Sequence, residues 1–362
     1  MPGMNKWRRL ILGLVAVAML FLAAGCARPV PPSQNESAGR VKLSGGGASF
    51  PYPLYSKWIE EYKQVGAGVV VDYQSIGSGG GIRGITEGTL DFAGSDAPMT
   101  PEERARAPRE IVHLPVVLGA VAVTYNLPGN PVLNLDGETL ADIYLGRIIK
   151  WNHPRLQALN PGVALPDQDI AMIHRSDGSG TTFVFTDYLS GTSSAWRNGP
   201  GTGKSVSWPL GIGGKGNEGV TGQLKLIEGS IGYVELAYAV KNNLPCARLK
   251  NRAGRFVGPA TASIAAAAAD AARDLPPDLC LSLVNAPGAE AYPLSTFSYL
   301  LVYREQADPV KGKALAEFLW WAVHEGQRYA EELLYTPLPE AVVARLEKEL
   351  KTLTCQGKPL LE

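Results

Sequence analysis

Short apolar runs rich in β-branched and aromatic residues recur along the chain, separated by stretches with helical spacing. Val69 to Tyr73, Leu90 to Ala93, Ile111 to Val117, Ala120 to Tyr125, Ile170 to His174, Ile231 to Val234 and Ser298 to Tyr303 have the length and residue types of strands. Helical patterns begin near Pro51, Gly80, Gly137, Gly180, Glu218, Thr261 and Pro309. The last of these runs to Ala330 and carries the apolar face Leu315, Phe318, Leu319, Ala322 and Val323, which predicts packing on a sheet. This alternation predicts the α/β class. Two runs, Val112 to Tyr125 and Tyr292 to Tyr303, are long enough to carry the chain between two lobes and back. On that reading lobe I comprises residues 41–117 plus 294–362, and lobe II residues 118–293. Gly199 to Gly216 shows no periodicity and predicts a long surface loop ordered by Trp208.

The N-terminus sets the compartment. Lys6, Arg8 and Arg9 precede the apolar stretch Leu10 to Leu22, which small residues and Cys26 close. About a dozen apolar residues fall short of the roughly 20 that span a bilayer, so residues 1–25 are expected to be an export signal. The stretch resembles a bacterial lipoprotein signal, which implies lipidation at Cys26. Ala23 stands where a larger aliphatic residue is usual, and an ordinary cleaved signal with Cys26 as a bystander is the alternative. Residues 26–40, with Pro29, Pro31, Pro32 and Ser33, have almost nothing to bury and predict a flexible tether.

The formal charge is balanced, with 34 basic and 34 acidic residues, so no basic stripe points to nucleic acid. An anion site in this chain must be built locally. Beyond Cys26 the cysteines are Cys246, Cys280 and Cys355, of which Cys246 and Cys280 are the expected disulfide pair in an oxidising compartment. His113, His153, His174 and His324 are scattered and no metal-binding spacing occurs, so neither a zinc site nor a cofactor is expected.

Candidate chemistry lies in a local design used three times: a small, hydroxyl-bearing, glycine-rich loop followed by a helical pattern. The loops are Leu43 to Pro53, Gly77 to Gly81 and Asp177 to Thr182. In the first, Ser49 suits an N-cap, and Pro51 and Pro53 suit the first turn, leaving Phe50 and Tyr52 as free backbone donors. Helix N-termini carry about half a unit of positive charge, and glycine admits close backbone approach, so three such ends meeting in a cleft suit a small oxyanion. Singly, each loop reads more often as a turn or linker than as a ligand cradle. Arg175, just before the third loop, suits a bidentate pair with an oxyanion; alone it reads as a surface salt bridge. Asp96 would repel an anion unless the ligand carries a proton. Phosphate does, since the second pKa of a phosphate monoester is about 6, whereas sulfate is fully ionised. Alone, Asp96 reads as a strand-end cap.

Together, Gly45 to Pro51, Gly77 to Gly81, Ser95 to Pro98 and Arg175 to Thr181 resemble the phosphate-binding proteins of bacterial phosphate ABC transporters, the PstS-type periplasmic binding proteins. Asp142 to Gly146, Gly211 to Gly219 and Ile231 to Glu235 are also similar, and the likeness covers about residues 43–339. The resemblance implies a two-lobed periplasmic-binding-protein fold of the class II type, hinged by two crossing strands. It also implies a monomeric lipoprotein, in the periplasm or on the outer face of the cell membrane, that hands phosphate to permease subunits. Phosphate would be held by Ser49, the Phe50 N–H, Ser78, Asp96, Arg175, Ser179, the Gly180 N–H and Thr181, with Asp177 supporting Arg175. Ser49 departs from the threonine frequent in the family, and His174 from a basic residue.

A serine-histidine-aspartate enzyme is excluded by spacing, because His174, Asp177 and Ser179 lie within one strand-to-helix turn and cannot place an imidazole between hydroxyl and carboxylate. Gly211 to Glu218 lacks the Ser or Thr that follows lysine in a nucleotide loop and predicts a structural loop. The alternatives retained are a binding protein for another tetrahedral oxyanion, sulfate or molybdate, and a secreted phosphatase.

Overall fold

A computed structural model describes residues 40–269 and 271–362. The export segment, Cys26 and the tether as far as residue 39 lie outside the described residues.

Besides three two-residue strands that form a separate small sheet near the C-terminus, the strands, numbered along the chain, are β1 (Val41–Gly47), β2 (Val69–Ser75), β3 (Phe92–Ser95), β4 (Ile111–Tyr125), β5 (Asn134–Leu135), β6 (Ala171–Arg175), β7 (Ile212–Gly214), β8 (Ser230–Glu235), β9 (Arg248–Lys250), β10 (Phe256–Val257) and β11 (Ser295–Tyr303). Eight of them form one sheet in the order β2-β1-β3-β11-β4-β8-β6-β7, and β10-β9-β5 form a small second sheet. β1 pairs parallel with β2 and β3, and β6 pairs parallel with β7 and β8. Between these parallel groups, β11 and β4 run antiparallel to their neighbours.

β4 changes partner along its length. Ile111 to Ala120 face β11, with a register shift at Ser298/Tyr299, and Val121 to Tyr125 pair with β8. Every residue of β4 and of β11 is buried, because layers cover both faces. The runs expected at Ile111 to Val117 and Ala120 to Tyr125 are therefore one strand. The strand expected at Leu90 begins at Phe92.

The first glycine run forms the end of β1 rather than a loop. Gly47 pairs with Gly94 at a φ of 141°, and a Cβ there would lie 2.2 Å from the Gly94 carbonyl oxygen. Only glycine lets the two strands approach so closely.

Five helices matter to the site or its support: α1 (Tyr52–Val65), α2 (Ser78–Thr86), α3 (Gly180–Thr192), α4 (Gly216–Leu226) and α5 (Pro309–Val323). α5 stops short of Ala330 because His324 leaves helical geometry (φ −112°, ψ −94°), and two 3₁₀ segments follow. Trp58 of α1 donates to the Gly326 carbonyl at 2.7 Å, tying the first of those segments to the core.

Two aromatic clusters fill the core. Tyr55, Trp58, Tyr62, Tyr73, Phe92 and Phe318 pack together beside β1 to β3. Tyr144, Phe185, Tyr233 and Trp208 pack beside β6 to β8, with Phe185 stacked on Tyr233 at 4.2 Å. Trp208 orders the predicted surface loop as expected, its ring stacked 4.8 Å from that of His174. The loop is shorter than expected, because it yields β7 and then α4.

Cys246, Cys280 and Cys355 are all free thiols, which corrects the expected Cys246–Cys280 pairing. Their surroundings differ: Cys246 sits in a backbone bridge to Thr124 on β4, whereas the Cys280 thiol lies against Arg104 and Asp278. Among the described residues no helix is long and apolar enough to cross a membrane.

Candidate functional site

Parallel strands leave their carboxyl ends on one edge, and in open α/β sheets that edge is where loops gather. Here the edge collects the segments after β1, β2, β3, β6 and β7. Each contributes buried polar groups.

After β1, Ser49 is 1% exposed. It does not cap α1, as the sequence led one to expect: the N-cap is Pro51, and Tyr52 N–H meets the Ser49 carbonyl at 3.3 Å. Instead its Oγ accepts from the backbone N–H (3.0 Å) and the side-chain amide (2.8 Å) of Asn217 on α4. The Phe50 N–H meets no acceptor among the described residues, while the Phe50 carbonyl accepts from Tyr335 at 2.7 Å.

After β2, Ser78 opens α2 and is fully buried. Its Oγ accepts from the Gly180 N–H at 3.0 Å and more distantly from the Asp96 N–H at 3.4 Å. The Gly79 N–H donates to the Gly178 carbonyl at 2.8 Å. The second and third glycine loops are thus pinned together. Gly180 must be glycine, since a Cβ there would stand 2.6 Å from Asp96 Cβ.

Arg175 ends β6 and is 3% exposed. Asp177 holds it in a fork, Nε to Oδ1 at 2.8 Å and Nη2 to Oδ2 at 2.6 Å, and Nη1 donates to Thr181 Oγ1 at 3.2 Å. Three of its five N–H groups are engaged in this way, leaving one on each terminal nitrogen, the edge that suits two oxygens of an anion. Burial works to raise the Asp177 carboxyl, but the hydrogen bonds and charge of Arg175, joined by the Gly216 N–H, hold it below its usual range. Ser179 caps α3 by accepting from Thr182 N–H at 3.0 Å.

Asp96, next after β3, is 2% exposed. Ser298, placed by the register shift in β11, donates to its Oδ1 at 2.8 Å. Burial raises the carboxyl from 3.8 to about 7, against the opposing pull of Ser298, Arg175 and Ser78. The site therefore joins one fixed cation, one carboxyl poised between its two forms near neutrality, and several hydroxyl and amide donors.

All the sequence-predicted residues gather at this edge. Two details differ. The Gly180 N–H meets Ser78 rather than standing free, and His174 turns its ring to Trp208 with Nδ1 3.0 Å from the Arg175 carbonyl. Asn217 was missed. Its segment, Gly211 to Gly219, resembles the family yet reads locally as a structural loop, and nothing in that pattern singles out the buried amide two residues after the lysine. Ser298 was missed too, since no local pattern distinguishes it within β11. Among the described residues, no His, Cys, Asp and Glu cluster suited to a metal ion occurs.

Residues 32–325 match the PBP superfamily domain. The chain is 46% identical to the phosphate-binding protein PstS of Pasteurella multocida over 86% of its length and 90% of that protein. It is 37% identical to the phosphate-binding protein PstS of Methanocaldococcus jannaschii over 94% of each. Its fold resembles the crystal structure of a phosphate-binding protein from Stenotrophomonas maltophilia, with a TM-score of 0.67 at 18% identity over 88% of this chain and 99% of that one.

Proposed function

The chain belongs to the PstS family of phosphate-binding proteins within the PBP superfamily, and from that premise we propose that it captures inorganic phosphate in its interlobe cleft and delivers it to an ABC permease for import. It is a transport protein rather than an enzyme. Its fold is the two-lobed periplasmic-binding-protein architecture.

The observation that carries the ligand assignment is Asp96: a carboxyl 2% exposed, accepting from Ser298 and set among the donors and the Arg175 guanidinium. A fully ionised tetrahedral anion would meet it as an unpaired negative charge, whereas phosphate brings a proton that the carboxylate accepts. Sulfate and molybdate are disfavoured for that reason. Phosphate is held by the Ser49, Ser78, Ser179 and Thr181 hydroxyls, the Phe50 and Gly180 N–H groups, Asp96 and Arg175, with Asp177 orienting the guanidinium. Binding exchanges the Ser78–Gly180 hydrogen bond for bonds to the anion.

Lobe I is 41–117 with 294–362, and lobe II is 118–293; the change of β4 partners between Ala120 and Val121 and the start of β11 at Ser295 support that division. Closure swings the lobes about these strands. The protein works outside the cytoplasm, as a monomer anchored by a lipid on Cys26, a placement supported by the sequence of the export segment.

Titration calorimetry of the mature protein with phosphate, sulfate and a phosphate ester, with product analysis for hydrolysis, tests the reading. Phosphate alone should bind and the ester should survive intact; equal binding of sulfate, or ester turnover, overturns it.

A further inference from the structure

Asn217 stands second in α4 and is fully buried. Its Oδ1 accepts the Glu235 N–H at 2.9 Å, which decides which way round the amide lies. With the oxygen so engaged, the NH₂ group faces the anion site. Nδ2 donates to Ser49 Oγ at 2.8 Å and more distantly to Thr181 Oγ1 at 3.4 Å. The Asn217 backbone N–H gives Ser49 Oγ a second donor at 3.0 Å, and Arg175 Nη1 gives Thr181 Oγ1 its second at 3.2 Å.

A hydroxyl oxygen has two lone pairs and one hydrogen. On both Ser49 and Thr181 two N–H donors occupy the lone pairs, so each hydroxyl has a single capacity left, which is to donate. A free serine or threonine hydroxyl rotates and serves a protonated or an unprotonated ligand oxygen equally well. These two cannot.

We propose that Asn217 is a positioning residue that makes the Ser49 and Thr181 hydroxyls obligate donors to bound phosphate while tying the segment after β1 to α3 and α4. The inference rests on the phosphate reading of the site. It divides the labour within it: Ser49 and Thr181 take unprotonated ligand oxygens, and the protonated oxygen is left to Asp96, the acceptor of the set. Glu235 takes part through its backbone N–H, and so holds the amide by a contact that side-chain substitution at 235 leaves in place.

A double-mutant cycle tests it, read by phosphate calorimetry on the full mature protein. Asn217→Ala should weaken phosphate binding about tenfold or more, the scale of one hydrogen bond to a charged ligand. In a Ser49→Ala background the same substitution should cost about threefold or less, because the nearer of the two hydroxyls it acts through is gone and only the weaker contact to Thr181 remains. A merely structural amide would cost the same factor in both backgrounds, and that result, or a change within twofold in the single variant, overturns the proposal. Asn217→Asp keeps the shape and the Oδ1 acceptor for Glu235 but removes both side-chain donors. It serves if the alanine variant does not fold, and should weaken binding about 100-fold, since it also adds charge; binding within twofold of wild type would again overturn the role. Absence of phosphate heat from the wild-type protein would instead refute the ligand assignment.

Discussion

At Asp96 the fold keeps a carboxyl almost wholly from water and leaves its proton to be settled by neighbours. Asp96→Asn should retain most of the phosphate affinity and lose much of the rejection of sulfate, since the amide cannot present an unpaired charge; calorimetry with both anions decides it, and unchanged selectivity would remove Asp96 from that role. The same carboxyl governs stability. Raised from 3.8 to about 7 by burial, it holds its proton more tightly folded than unfolded. Its contribution is therefore favourable below that window and is lost as pH rises through it, to the extent of about 4 kcal/mol above it. The unliganded Asp96→Asn protein should melt higher than wild type at pH 8, with the gap narrowing as pH falls and closing only below about pH 4. Arg175 is the other decisive residue: Arg175→Ala should weaken phosphate by about 2 to 5 kcal/mol, because it removes a buried charge and leaves Asp177 unpaired.

The elements show what local sequence could and could not disclose. The strand-loop-helix design was legible at Asp177 to Thr182, where Ser179 caps α3 and Gly180 begins it, because capping and glycine chemistry are set within a few residues. It misled at Gly45 to Gly47, which looks like a flexible loop in isolation. What makes that run a strand is Gly94, almost fifty positions away, whose backbone leaves no room for a Cβ at Gly47. Gly47→Ala should consequently cost about 2 kcal/mol or more through strained backbone and displaced β3, seen as a lower urea midpoint at unchanged phosphate stoichiometry. Asn217 and Ser298 were illegible for a like reason. Each acts on a partner more than 150 positions away, Ser49 and Asp96 respectively, and no periodicity records such a meeting.

Across the whole molecule, the order β2-β1-β3-β11-β4-β8-β6-β7 places two parallel groups on either side of an antiparallel pair. The runs ending at Tyr125 and Tyr303 were long enough in sequence to suggest strands passing between two lobes, but their order and direction of pairing were not legible, because register is set by partners far apart in the chain. If these strands are the hinge, phosphate should reduce the radius of gyration measured by small-angle scattering, and Asp177→Ala, which loosens the guanidinium fork, should require more phosphate to do so. β4 has a further consequence. One unbroken strand completes the sheet of both halves, so neither half can melt and leave the other with its edge covered. The chain should denature in one concerted step, with far-ultraviolet circular dichroism and total tryptophan fluorescence reporting the same urea midpoint.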